Sequence, residues 1–109
     1  MMIGMIENFE KLLASGKDSA LLRFSLGNEY LKSGEATRAV EHLRAATTQD
    51  AGYSAAWKLL GKTLTVLDDK AGAVDAFLKG IAAAEAKGDK QAAKEMTLFL
   101  KRLNVLPPV

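Results

Sequence analysis

Leu26-Gly27 returns as Leu60-Gly61, Ala39-Val40 as Ala73-Val74 and Leu43 as Phe77, each 34 residues further along the chain. In the same frame Tyr30 becomes Leu64 and Ala46 becomes Gly80. Self-similarity at a fixed step of this length means that one supersecondary unit is used twice. Both copies must bury the same positions, and neither can cover its apolar face alone. This repeat limits the possible folds more than any single motif in the chain. Within each copy the apolar residues are spaced for helices. Leu22, Leu26 and Tyr30 form one stripe, and Ala36, Ala39, Leu43 and Ala46 a second. Trp57, Leu60 and Leu64 form a third, and Ala73, Val74, Phe77 and Ile81 a fourth.

Ser33-Gly34, the link from Thr47 to Gly52, and Asp68-Asp69 separate these stripes, so the spacing predicts helices over 19–32, 36–48, 54–66 and 70–86. Upstream, Met2, Met5 or Ile6, Phe9, Leu12 and Leu13 predict a helix over 2–15, with Glu7, Asn8, Glu10 and Lys11 on its other side. Gly16 suits a left-handed C-terminal cap, and Asp18 or Ser19 the N-cap that follows. Downstream of Gly88-Asp89, the residues Ala92, Met96, Phe99 and Leu103 predict a last helix over 89–103. The stretch 104–109, with Pro107-Pro108, reads as a short extended tail. Gly27 and Gly61 fall inside helices, where glycine costs about 1 kcal/mol relative to alanine. Their recurrence points to a neighbouring helix that must come close.

Composition removes several classes of function. A chain of 109 residues is one domain. Its 15 basic and 13 acidic residues give a net charge of +2, too balanced for a dedicated nucleic-acid or membrane-surface binder. It has no Cys, which excludes disulfides, thiolate catalysis and thiolate metal sites. The apolar start from Met1 to Ile6 runs straight into Glu7, without a basic leader and too short for a membrane span, so a cytoplasmic protein is expected. His42 is the only His; between Ala39 and Leu43 it falls off the buried stripe and reads as a solvated surface residue. No second His or Cys joins it in a metal site, no carboxylate marks it as a general base, and no hydroxyl has an activating partner. Asp68-Asp69 reads as a helix start facing the positive end of the dipole, not as a cation site. No catalytic residue, metal or cofactor is expected, and an enzyme is not.

The step and the residue types quoted above resemble the tetratricopeptide repeat family, in the form of a small bacterial-type protein. The resemblance implies an all-α fold: a six-helix antiparallel right-handed α-solenoid of helix–turn–helix units with capping helices at both ends. Over the single domain 1–109 it places an N-terminal capping helix at 2–17, repeats at 20–53 and 54–87, a C-terminal capping helix at 88–103 and a tail at 104–109. In repeat register the first helix is the second half of a unit whose first half is missing. Strict register puts Lys94-Glu95 where Leu60-Gly61 stand, so the last helix is expected to cap rather than continue the stack. The chain departs from the family pattern at Arg23, which holds the place of Trp57, and near Ala51, where the usual proline is missing. Asp68 replaces the turn glycine found at Gly34.

The family implies a non-catalytic module or adaptor that holds a protein or peptide segment in a concave groove lined by the first helix of each repeat. Helix phase maps that groove to Leu21, Phe24, Asn28 and Lys32 from one helix and Lys58, Lys62 and Thr65 from the other. These suit a partner with an apolar residue and a carboxylate. Chaperone-binding members grip a C-terminal carboxylate with Lys, Asn and Arg. Only Asn28 is in register with that set, and Phe24, Leu59, Asp89 and Ala93 occupy its other places, so a chaperone tail is not expected. The alternative is a structural subunit or homo-oligomer that assembles through the terminal helices, with Met1, Met2 and Met5 at one end and Leu98 and Leu100 at the other. A monomer is expected ahead of an oligomer.

Overall fold

A computed structural model describes residues 4–103, and within them every predicted helix is present. The elements are α1 (Met5–Ala14), α2 (Ala20–Lys32), α3 (Ala36–Gln49), α4 (Ser54–Val66), α5 (Lys70–Ala86) and α6 (Lys90–Leu103). The first helix begins at Met5 and not at residue 2, because Gly4 is extended and stands as its N-cap; residues 1–3, with Met1 and Met2, and the tail at 104–109 lie outside the described residues.

Local chemistry sets the boundaries. Ser19 caps α2, its hydroxyl accepting from the Leu22 N–H at 3.1 Å. Asp69 caps α5 by accepting from the Gly72 N–H at 2.9 Å, and Asp89 caps α6 by accepting from the Ala92 N–H at 3.0 Å. Gly16 and Gly34 end their helices with φ of +91° and +83°. Asp68 does the same work at φ +60°, the positive-φ conformation that Asp tolerates better than most side chains. The missing proline after α3 has a replacement. The Asp50 carboxylate accepts from the Gly52 N–H at 3.0 Å, and the Trp57 indole donates to the Ala51 carbonyl at 2.8 Å.

Successive helices pack in chain order, most extensively α2 with α3 and α4 with α5; α2 also touches α4, and α4 touches α6. The first helices of the units thus form one layer and the second helices another, in a stack of 55 × 29 × 20 Å. The core runs through the repeat positions: Leu26, Leu43, Leu60, Ala73 and Phe77 are all buried. The two helical glycines are where they must be. A Cβ on Gly27 would lie 2.5 Å from Leu43 Cγ, and one on Gly61 2.6 Å from the Phe77 ring. Gly80, in register with Ala46, leaves room in the same way for Met96 and the Trp57 Cβ.

Two expectations are corrected. The step between units is not constant: α2 and α4 begin at Ala20 and Ser54, but α6 begins at Lys90, two residues late, because α5 runs to 17 residues where α3 has 14. Buried Met96, not Lys94, therefore stands where Leu26 and Leu60 stand. Thr97 stands where Gly27 and Gly61 stand, so α6 lacks the glycine of the other two first helices. The second correction is His42, which is 8% exposed. It stacks on Tyr30 with ring centroids 5.4 Å apart and planes 6° off parallel. Arg23 Nη1 lies 3.2 Å from His42 Nδ1, and Glu10 of α1 lies 3.9 Å from its Nε2. Tyr30 donates to the same Glu10 carboxylate at 2.5 Å. Arg23 also grips Asp18 with two bonds of 2.9 Å, and Gln49 joins that carboxylate at 2.9 Å. This polar network fastens α1, which buries no residue fully, onto α2 and α3.

Candidate functional site

The first helices α2, α4 and α6 present the face on which the candidate residues lie. Leu21 is exposed and borders a hollow shared with Phe9 and Leu12 of α1. Phe24 is half-buried, its ring 5.1 Å from Tyr53 in the link between α3 and α4. Asn28 is half-buried, and exposed Lys32 lies 3.3 Å from Glu29 of its own helix. On α4, Lys58 Nζ lies 2.8 Å from Glu95 Oε1 of α6. The Lys58 hydrogen bond, with help from Gln91, holds the Glu95 carboxyl below its ordinary value, so Glu95 is ionised at neutral pH. Lys62 Nζ sits 5.5 Å above the Phe99 ring. The Thr65 hydroxyl donates to the Gly61 carbonyl at 2.8 Å, a back-bond that leaves its methyl as the free surface.

The seven residues therefore do not meet in one cleft. Lys62 and Thr65 come together with Phe77, Phe99, Arg102 and Leu103 around a cleft of about 380 Å³. Lys58 and Lys62 share a smaller hollow of about 260 Å³ with Glu95, Leu98, Phe99 and Arg102. Leu21 belongs to the α1 side, while Phe24 is engaged by Tyr53. The residues the sequence reading missed are those of α6: Glu95, Phe99 and Arg102. Their signal was Asp89, a good N-cap, which would have moved the α6 register by two. A larger hollow of about 850 Å³ lies on the outer side of α6, edged by Lys90, Lys94 and Lys101, where a further unit would have to pack. Among the described residues, no group of three or more metal-binding side chains comes together. No described helix is long and apolar enough to cross a membrane.

A family model described as tetratricopeptide repeat matches residues 6–53 and 24–90. This chain belongs to the tetratricopeptide repeat family. A TPR repeat-containing protein of Pseudomonas aeruginosa is 56% identical over 100 residues, covering 92% of this chain and 95% of that protein. The solution structure of a protein from Bordetella parapertussis superposes with a TM-score of 0.80 at 48% identity, covering 94% of this chain and 89% of that one. A tetratricopeptide repeat domain protein from Salinibacter ruber superposes at 0.76 with 25% identity, covering 84% and 93%. Tetratricopeptide repeats are generally protein–protein interaction modules without catalytic work of their own. The all-α repeat solenoid and the two-fold use of one unit agree with that membership.

Proposed function

We propose that this tetratricopeptide repeat protein is a monomeric, non-catalytic cytoplasmic adaptor that binds a protein segment across the face formed by α2, α4 and α6. One observation carries the reading. On that face the exposed cation Lys62 stands over an aromatic ring instead of over a carboxylate, next to half-buried Phe99 and an open cleft. A partner with apolar and acidic side chains fits such a surface. Lys58 contributes less free charge than Lys62, because Glu95 holds it. Lys62→Glu is therefore expected to weaken capture of the partner, and more so at low salt, because surface charge acts mainly on association. Equal capture by Lys62→Glu and the parent at low and high salt would remove the acidic partner from the proposal.

The exposure of Met5, Leu12 and Leu98 on the terminal helices favours a second reading, a structural subunit or homo-oligomer joined through its ends. Against it, Lys90, Lys94 and Lys101 line the outer side of α6 and would have to be desolvated. Sedimentation separates the two: a mass that rises with concentration supports end-to-end assembly, and a constant monomer mass supports the adaptor.

A further inference from the structure

The cleft between α4 and α6 has a composition that the junction between α2 and α4 lacks. Its floor is apolar: Phe77, 1% exposed, lies at the bottom, flanked by Phe99 and Leu103. Phe77 and Phe99 stack with centroids 5.5 Å apart and planes 10° off parallel. Its rim is cationic. Lys62 Nζ and Arg102 Cζ lie 5.5 and 5.6 Å from the centre of the same Phe99 ring. Among the described residues neither ion-pairs with a carboxylate; the nearby Glu95 is taken by Lys58. Two like charges share one ring, held by its quadrupole against their mutual repulsion. An entering carboxylate would relieve that repulsion, and an apolar group beside it would cover the floor. The equivalent junction between α2 and α4 lacks this pair: Asn28 stands in register with Lys62, and Val66 with Arg102 once the two-residue shift of α6 is allowed for.

We propose that this cleft is the anchoring subsite of the groove, and that it takes an aliphatic or aromatic side chain flanked by a carboxylate on the partner segment. The proposal rests on the groove reading above and narrows it to one place and one chemistry. At about 380 Å³ the cleft has room for a large side chain and the group beside it, but not for a folded element. Arg102 supplies a planar fork for the carboxylate and Lys62 a mobile point charge. The face is thus polarised, with its electrostatic hold at the α6 end and its apolar contacts, Phe24 and Tyr53, at the other.

The test titrates the isotope-labelled full chain with two blocked pentapeptides, Glu-Glu-Leu-Glu-Glu and Gln-Gln-Leu-Gln-Gln, up to about 1 mM, the weak end of the affinity scale. The acidic peptide is expected to shift the amides of Lys62, Thr65, Phe99 and Arg102, and the neutral one to bind about tenfold more weakly. Arg102→Ala should weaken the acidic peptide by a similar factor with an unchanged melting temperature, because its side chain is exposed. Equal binding of the two peptides, or no shift at the cleft, overturns the subsite. Shifts confined to Leu21, Phe24 and Asn28 overturn it while leaving the groove reading standing. Shifts confined to the outer faces of α3 and α5 overturn both. Contacts from the Val105 or Leu106 methyls to the Phe99 ring in the free chain would show the cleft already filled, and overturn it as well.

Discussion

Arg23 stands where the second repeat has Trp57, and His42 where it has Ala76. The two departures belong together, because the guanidinium that replaces the indole meets the imidazole that replaces the methyl. The repeat held this signal: Ala76 is an apolar partner in register, which marks position 42 as interior. Helix phase alone misled, since a residue next to Leu43 lies at the edge of the stripe. Burial is the main cause that lowers the His42 pKa below 6.5, and the Arg23 charge adds to it; Glu10, Glu41 and Asp18 oppose it. The sign follows from proton counting. The unfolded chain binds a proton at His42 before the folded chain does, so the contribution to stability is complete above about pH 6.5 and is lost as pH falls below it. Thermal unfolding should therefore show a loss of stability as pH falls below about 6.5 that His42→Gln reduces. An identical slope in both proteins would mean that His42 titrates alike in the folded and unfolded chain. Gly27→Leu and Gly61→Leu should each cost about 1–3 kcal/mol or more, because Leu43 and Phe77 fill the space a side chain needs. Parent-like melting of both would contradict the close approach.

The elements were legible almost to the residue, because Ser33-Gly34, Asp68-Asp69 and Gly88-Asp89 are strong stops and the apolar stripes between them are clean. The register of α6 was misread although Asp89 signalled it: a strict 34-residue step was kept across α5, which is three residues longer than α3. That error hid Met96, already on the apolar stripe with Ala92, Phe99 and Leu103, as the counterpart of Leu26 and Leu60, and hid Phe99 and Arg102 as neighbours of Lys62. The turn before α5 gives a sharp check. Asp68 holds φ +60°, where a β-branched side chain clashes with its own backbone. Asp68→Val should cost about 1–2 kcal/mol and Asp68→Gly should cost little or stabilise. Denaturant unfolding measures both, and no difference between them would mean that the turn is not left-handed.

At the scale of the molecule the repeat explains the stack, and the ends explain why it stops. The first unit is covered by α1, through Phe9, Leu13 and the bond from Tyr30 to Glu10. The second is covered by α6, through Met96 against Gly80 and Phe99 against Phe77. Truncation after Lys87 removes that cover and should give aggregation or loss of cooperative unfolding; a soluble, cooperative fragment of residues 1–87 would make α6 an appendage. For the proposed binding face, α2 and α4 could be phased from the sequence, whereas the position of α6 depended on a register that the long α5 displaced. Mapping the amide shifts that the native partner produces on the isotope-labelled chain shows whether the layer of first helices is the binding face. The expected footprint is continuous over α2, α4 and α6 and includes Asn28, Lys62 and Phe99. A footprint confined to α3 and α5, or to α1 and the outer side of α6, would contradict it.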